Sequence, residues 1–108
     1  MTKKERDNKK DSGVGLKDRE KNKIQRPRKF KVIFMNDDYT PMDFVAALLM
    51  EVFHKSVDDA KVITMNVHKQ GKGIAGVYSR EIAETKAIKS MQIAHKNGHP
   101  LLIQAEPE

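Results

Sequence analysis

The feature that most constrains the fold is an apolar run that stops abruptly at a cluster of polar residues. Phe30, Val32 and Phe34 alternate with Lys31 and Ile33. An alternation of this kind gives one apolar face and one mixed face, which is typical of a β-strand. The run therefore predicts a strand that leads directly into a polar turn.

The polar turn, residues 36–40, has the sequence Asn-Asp-Asp-Tyr-Thr and precedes Pro41. Thr40 is predicted to be the N-cap of a helix, with Pro41 at its first position and Asp43 in its first turn. Two carboxylates and an amide then lie beside apolar side chains. Such a place suits a ligand that is cationic at one end and hydrophobic at the other, such as an amino group on a hydrophobic side chain. An ordinary turn rich in Asn and Asp is the alternative interpretation.

The next stretch predicts two helices in succession. Apolar residues recur at helical spacing from Phe44 to Phe53, and His54-Lys55 is expected to end this first helix. Ser56 with Asp59 resembles a capping box that starts a second helix. The inward stripe of the second helix is predicted to be Ala60, Ile63, Thr64 and Val67.

Glycines mark the boundaries of the remaining elements. After Gln70-Gly71-Lys72-Gly73, residues 74–78 predict a strand, and Ser79 is expected to cap a third helix that ends before Gly98. Its small-residue face comprises Ala83, Ala87, Met91 and Ala94. Leu101-Leu102-Ile103 predicts a last strand. The order predicts an α+β sandwich, β-α-α-β-α-β, with helices packed on a three-stranded antiparallel sheet.

Charge separates the chain into two predicted regions. Of the 108 residues, the first 29 hold twelve Lys/Arg against five Asp/Glu, and the rest hold nine against ten. Residues 1–27 are predicted to be a disordered basic extension because they offer few apolar side chains to bury, and residues 28–108 to be the folded domain. The extension is either an inert arm or one that touches a partner. Nucleic-acid binding is less favoured, since acidic residues are interleaved and aromatic residues are absent.

Composition and motifs favour a binding protein over an enzyme. The chain has no cysteine, no apolar run long enough to span a membrane and no secretory signal, so a cytoplasmic location is expected. No Ser-His or Cys-His nucleophile motif and no P-loop occurs. Asp37, Asp38 and His68 are types of residue that could bind a divalent ion, but their spacing matches no metal-binding motif. No metal or cofactor is predicted.

Several of these motifs, taken together, resemble the ClpS family, which are adaptors of the ATP-dependent Clp protease that select N-end rule substrates. The resemblance covers about residues 28 to 105. The matching motifs are, in order, Phe30-Lys31-Val32-Ile33, residues 36–42, Val67-His68, Gln70-Gly71, residues 81–86 and His99-Pro100-Leu101.

The resemblance implies a two-part site for an N-degron, that is, a free α-amino group followed by a Leu, Phe, Tyr or Trp side chain. It implies that the amino group is bound by Asn36, Asp38 and His68, with Asp37 as a further candidate contact. It also implies a hydrophobic pocket for the first side chain, lined by Phe34, Thr40, Met42, Val45, Thr64, Val67 and Leu101.

One position departs from the family pattern. Where its members commonly place a methionine that helps to bound the pocket, this chain has Thr64, followed by Met65. The resemblance implies that substrates beginning with Ile or Val are excluded by steric contact near the β-carbon of that residue. A shorter side chain in the pocket wall is therefore expected to admit them more readily.

The resemblance further implies a partner, the N-terminal domain of a ClpA-type unfoldase, which would dock on Glu81, Glu84 and Lys86. A solvated helix face is the alternative interpretation of these three residues. The protein is expected to act as a monomer, without nucleic acid or membrane, and its N-terminal extension is expected to influence delivery. A general peptide-interaction module of the same layout, and nucleic-acid binding through the extension, remain alternative functions.

Overall fold

The structure is a computed structural model that describes residues 27–108, and it confirms the predicted fold class of three helices on a three-stranded antiparallel sheet. The elements are β1 (Phe30–Met35), α1 (Met42–Glu51), α2 (Val57–Gln70), β2 (Lys72–Tyr78), α3 (Arg80–Lys96) and β3 (Leu102–Pro107). Residues 1–26 lie outside the described part of the chain, so the disorder predicted for residues 1–27 stays a prediction. Within residues 27–108 no helix is both long and apolar enough to cross a lipid bilayer.

Strand β1 lies at the centre of the sheet, which has the order β2-β1-β3. Both neighbours are antiparallel to it, and Phe34 lies opposite Gly73 in β2 and Ile103 in β3. The register with β2 shifts between Val32 and Ile33, as at a β-bulge. Because β1 is hydrogen-bonded on both sides, the polar turn that follows Met35 begins at a fixed point in the molecule.

The core lies between the sheet and the helices. Phe34 is fully buried and meets Phe53 edge to face, with ring centroids 5.5 Å apart. Burying a side chain of this size contributes about 1.5 to 3 kcal/mol to stability. The other large, fully buried apolar residues are Val32, Leu48, Leu49, Leu101 and Ile103. Side chains of β1, α1, β3 and the residues that follow α1 and precede β3 therefore share one core.

The predicted start of α1 is wrong in one respect. Pro41, with an extended backbone, is the N-cap residue and the helix begins at Met42, so Thr40 is not the cap. The Thr40 hydroxyl instead donates a hydrogen bond to Asp37 Oδ2 at 2.7 Å. Asp37 thus binds the hydroxyl of Thr40, which would otherwise be available to cap the helix.

The end of α1 also differs from the prediction. The helix ends at Glu51 rather than at His54-Lys55. His54 adopts a left-handed conformation (φ 55°), and the backbone N–H of Lys55 donates to the carbonyl of Leu49 at 3.0 Å. A contact distant in sequence completes this end, because Lys86 Nζ donates to the carbonyl oxygen of Val52 at 2.7 Å.

The predicted boundaries of α2 and α3 are confirmed by their caps. The Ser56 hydroxyl accepts from the N–H of Asp59 at 3.1 Å, and the Ser79 hydroxyl accepts from the N–H of Ile82 at 3.4 Å. Gly71 (φ 87°) ends α2 and Gly98 (φ 78°) follows α3, both in the left-handed region that glycine favours. The inward residues of these helices are buried or half-buried, as predicted.

The two later strands are longer than predicted. β2 begins at Lys72, which pairs with Met35, rather than at Ile74. β3 begins one residue late, at Leu102, and continues to Pro107 opposite Phe30. Pairing with β1 determines these lengths, since the residues added to each strand are those that lie opposite its partner.

Gly73 lets α2 approach the sheet closely. A Cβ at this position would lie 2.8 Å from Val67 Cγ2 and 3.1 Å from the carbonyl oxygen of Ile63, both in α2. Valine has a stiff side chain and the carbonyl belongs to the helix backbone, so neither atom can move away freely. The distance between α2 and β2, and with it the position of the C-terminal part of α2, depends on this glycine.

We predict that Gly73→Ala lowers the free energy of unfolding by about 1 to 3 kcal/mol, because the added methyl group overpacks the contact between α2 and β2. Urea unfolding measures this. Lys72→Ala, at the exposed neighbouring position of the same strand, is the control and should change stability by less than about 0.5 kcal/mol. Equal stability of Gly73→Ala and the unsubstituted protein would contradict the close approach.

Candidate functional site

A small cavity lies where the end of β1, the start of α1 and the C-terminal half of α2 meet. Its volume is about 10 Å³, which is room for about one water molecule. The residues that line it are Met35, Asn36, Asp37, Thr40, Met42, Val45, Thr64, Val67, His68 and Leu101. Polar side chains and apolar ones therefore share a single concave surface.

The turn at one side of the cavity is organised by the Asp37 carboxylate. Its Oδ1 accepts hydrogen bonds from the backbone N–H groups of Tyr39 (2.8 Å) and Thr40 (2.7 Å), and its Oδ2 accepts from the Thr40 hydroxyl (2.7 Å). Asp side chains stabilise turns in this way by bonding to the backbone two or three residues on. Tyr39 itself is 79% exposed. Asp37 thus holds residues 37–40 in one conformation.

Opposing effects set the pKa of Asp37. Partial burial raises the pKa of this carboxyl, whereas the hydrogen bonds from Thr40 and Tyr39 and the charge of nearby His99 lower it. The lowering effects are larger together, so the pKa lies below the usual value of 3.8. The side chain is therefore an anion at neutral pH.

A backbone hydrogen bond joins the turn to the end of α2. The N–H of Asn36 donates to the carbonyl oxygen of Gly71 at 2.9 Å. His68 lies three residues before Gly71, in the last turn of α2, and its side chain is exposed. Asn36 and His68 therefore both reach the rim of the cavity, although they are 32 positions apart in the sequence.

The deeper wall of the cavity is apolar except for one residue. Val45, Val67 and Leu101 are each at least 95% buried. Thr64 lies one helical turn before His68 and is 5% exposed, and its hydroxyl has no hydrogen-bond partner among the described residues. Met42, at the start of α1, also lines the cavity and is 38% exposed.

The structure brings together nine of the eleven residues that the sequence suggested for the two-part site. The two outside the cavity lining are Phe34 and Asp38. Phe34 is fully buried in the core, where its ring meets that of Phe53. Asp38 is exposed and makes no hydrogen bond to another of residues 27–108.

Sequence analysis missed one lining residue, Met35, the last residue of β1. Its position directly before Asn36 in the sequence could have identified it. Chemically, the cavity combines acceptors on Asn36 and His68 and the negative charge of Asp37 with an apolar wall. That combination suits a small cationic group attached to a hydrophobic one.

The three residues suggested for partner docking do not share one environment. A wider groove of about 410 Å³ lies between the end of α1 and the first half of α3. It is lined by Glu51, Val52, His54, Glu81, Ile82, Thr85, Lys86 and Lys89. Glu81 and Lys86 belong to the groove, whereas Glu84 lies outside the lining and pairs with Arg80 at 3.3 Å.

Lys86 is attached to the core as well as to the groove. Besides its hydrogen bond to Val52, its ammonium lies 5.6 Å from the ring centroid of Phe53 and 5.3 Å from that of Tyr78. Contacts of a cation with ring faces at this range are attractive.

Within residues 27–108 no three His, Asp or Glu side chains lie close enough together to hold a metal ion.

Comparisons with known proteins agree on one family. The model of the family described as "ATP-dependent Clp protease adaptor protein ClpS" matches residues 25–104. The chain is 45% identical over 89 residues to the ATP-dependent Clp protease adapter protein ClpS of Deinococcus radiodurans, covering 82% of this chain and 79% of the relative. It is 51% identical over 86 residues to the protein of the same name from Desulfatibacillum aliphaticivorans, covering 80% and 83%.

Solved structures give the same result. The fold is similar, with a TM-score of 0.75, to that of Agrobacterium tumefaciens ClpS2 bound to L-phenylalaninamide. The two sequences are 41% identical, and the match covers 77% of this chain and 100% of the other.

We predict that Asp37→Asn lowers the free energy of unfolding at pH 7 by less than about 1 kcal/mol, since the carboxylate is only partly buried. The folded protein binds the Asp37 proton less readily than the unfolded chain does, because the pKa is lowered from 3.8. The ionised carboxylate therefore adds stability above about pH 3.8, and this contribution is lost as the pH falls through the lowered pKa.

Urea unfolding at pH 7 and at several values below pH 4 tests this. The difference between the two proteins should shrink towards acid pH. Asp38→Asn, which changes a neighbouring carboxylate without hydrogen bonds to the described residues, should show no comparable difference. A constant difference between Asp37→Asn and the unsubstituted protein at all pH values would rule out the charged form as its origin.

Proposed function

This chain belongs to the ClpS family of ATP-dependent Clp protease adaptors, and we propose that it selects proteins by a free α-amino group followed by a bulky hydrophobic first side chain. As an adaptor it is not itself an enzyme. The observation that carries the proposal is the cavity with oxygen and imidazole acceptors at its rim and apolar residues below. L-phenylalaninamide, the ligand of the related A. tumefaciens ClpS2, has the same two parts, a free α-amino group and an aromatic side chain.

The α-ammonium group is proposed to bind at the rim. It has three N–H donors, and the proposed acceptors are the side chains of Asn36 and His68, which line the cavity, and of Asp38, which lies outside the lining next to Asp37. Charge-assisted hydrogen bonds are worth roughly 1.5 to 3 kcal/mol each. Asp37 contributes its negative charge and holds the turn, because its own oxygens already accept three hydrogen bonds.

The first side chain of the substrate is proposed to enter the cavity between Val45, Val67 and Leu101. Burial of a Leu or Phe side chain adds about 1.5 to 3 kcal/mol. A cavity of about 10 Å³ has to widen for such a side chain. The unbranched side chains of Met35 and Met42 at its edge are suited to that movement, because methionine changes rotamer readily. After the cost of association, a dissociation constant of about 1 μM, near −8 kcal/mol, is expected.

Delivery is proposed to use the groove beside α3 as the contact for the N-terminal domain of a ClpA-type unfoldase. Support comes from its charged rim, in which Glu81 and Lys86 lie with the half-exposed Ile82. Charged residues around an apolar centre are common at such interfaces. We propose that Glu84 lies at the edge of the contact and that residues 1–26 act in handover rather than in substrate binding.

We predict that a Leu-initiated peptide binds and that the same peptide with an acetylated amino group does not, since acetylation removes the charge and two donors. His68→Ala should weaken binding of the free peptide about ten- to a hundredfold, which corresponds to one charge-assisted hydrogen bond. Fluorescence anisotropy measures both. A Met-initiated peptide should bind more weakly than the Leu-initiated one.

The matched control for His68→Ala is His95→Ala, which removes another exposed histidine in the last turn of a helix, α3. It should leave peptide affinity unchanged. Both variants should keep the stability of the unsubstituted protein, because the two side chains are exposed. Equal binding of the acetylated and free peptides would exclude recognition of a chain start and favour a general peptide-interaction module.

We predict that the short side chain of Thr64 lets the cavity bind Ile or Val as a first residue less poorly than a methionine at this position would. Leu-, Ile- and Val-initiated peptides, otherwise identical, should differ less in affinity for the unsubstituted protein than for Thr64→Met, whose longer side chain narrows the cavity. Anisotropy titrations of the three peptides against both proteins measure this. If both proteins discriminate equally between the three peptides, the length of the side chain at position 64 does not determine this specificity.

We predict that Glu81→Ala slows Clp-dependent degradation of a Leu-initiated reporter protein and leaves peptide affinity intact. Deletion of residues 2–26 should likewise slow degradation and leave peptide affinity intact. Asp58→Ala, which removes an exposed carboxylate from α2, is the control and should change neither. A large loss of peptide affinity in the truncated protein would contradict the separation of binding from delivery.

A further inference from the structure

The Thr64 hydroxyl is a buried polar group without a partner. Thr64 is 5% exposed, and its Oγ1 makes no hydrogen bond to any other described residue. Most buried hydroxyls in proteins are hydrogen-bonded, because leaving one unpaired costs about 1 to 3 kcal/mol. An unpaired hydroxyl at the wall of a cavity can be paired by a polar atom of a ligand that enters the cavity.

The surroundings of Thr64 do not supply that partner. The deep side chains around it, Val45, Val67 and Leu101, have no polar atoms. The other hydroxyl of the cavity lining, that of Thr40, is already bonded to Asp37. Among the described residues that line the cavity, Thr64 is therefore the one buried side chain with unused hydrogen-bonding capacity.

The position of Thr64 relative to the rim indicates which ligand atom it could meet. His68 lies at the rim and Thr64 one helical turn before it on the same side of α2. Four residues of α-helix advance about 6 Å along the axis. That advance is comparable to the span from the α-nitrogen of an aromatic amino acid to a polar atom on its ring.

We propose that Thr64 Oγ1 makes a hydrogen bond to a polar atom on the ring of an aromatic first residue, so that the cavity favours tyrosine, and in the same way tryptophan, over phenylalanine. This rests on the proposed function, since the α-amino group at His68 fixes the orientation of the ring. A threonine hydroxyl both donates and accepts, so it pairs with a phenol O–H or an indole N–H. Phenylalanine fills the same space and leaves the hydroxyl unpaired.

Two peptides that differ only in a first Tyr or Phe test the proposal, measured by fluorescence anisotropy against the unsubstituted protein, Thr64→Val and Thr64→Ser. Valine keeps the shape of threonine and removes the hydroxyl, whereas serine keeps the hydroxyl. The ratio of Phe to Tyr dissociation constants should be about three to ten for the unsubstituted protein, as one neutral hydrogen bond allows. It should fall to about one or below in Thr64→Val and be retained in Thr64→Ser.

The outcomes separate this inference from the proposed function. A Phe to Tyr ratio that is the same in Thr64→Val as in the unsubstituted protein overturns the inference while leaving amine recognition intact. Failure of both peptides to bind better than their acetylated forms overturns the proposed function. Urea unfolding of the variants shows whether each is folded, and a folded Thr64→Val in which the Phe to Tyr ratio falls, while Thr64→Ser keeps it, supports the inference.

Discussion

The candidate site depends on the Asp37 carboxylate, which holds the turn after β1 in one shape. Three hydrogen bonds from Tyr39 and Thr40 converge on it. The turn begins at the end of a strand that is paired on both sides, and the Asn36 backbone ties it to Gly71 at the end of α2. Rigid attachments on both sides let short polar side chains keep their positions at the rim, which an ordinary surface turn would not ensure.

Local sequence signals predicted much of the fold because the contacts they describe are local. Ser56 and Ser79 cap helices three residues away, and Gly71 and Gly98 take the left-handed backbone that ends a helix. The prediction for Thr40 was wrong because two local motifs competed for it. Its hydroxyl can cap a helix or bond to Asp37, and propensity does not say which will prevail.

Other features could not be predicted because they arise from contacts between distant parts of the chain. The hydrogen bond from Lys86 to Val52 joins residues 34 positions apart, and no spacing in the sequence indicates it. The resemblance to ClpS suggested most of the residues that line the cavity, but not that Phe34 would turn into the core and Met35 towards the cavity. The absence of a partner for the Thr64 hydroxyl likewise depends on all of its neighbours at once. Replacement of Lys86 would remove its hydrogen bond to Val52 and so disturb the end of α1 as well as the groove.

The small volume of the cavity, about 10 Å³, has a consequence for the protein between encounters with its clients. A permanently open hydrophobic hole would attract exposed apolar segments of unrelated proteins and would promote self-association. Here Met42 and the neighbouring side chains leave room for little more than one water molecule. On the proposed function, the apolar lining is accessible only while a substrate side chain occupies the cavity. The adaptor without substrate therefore exposes little of this surface to other proteins.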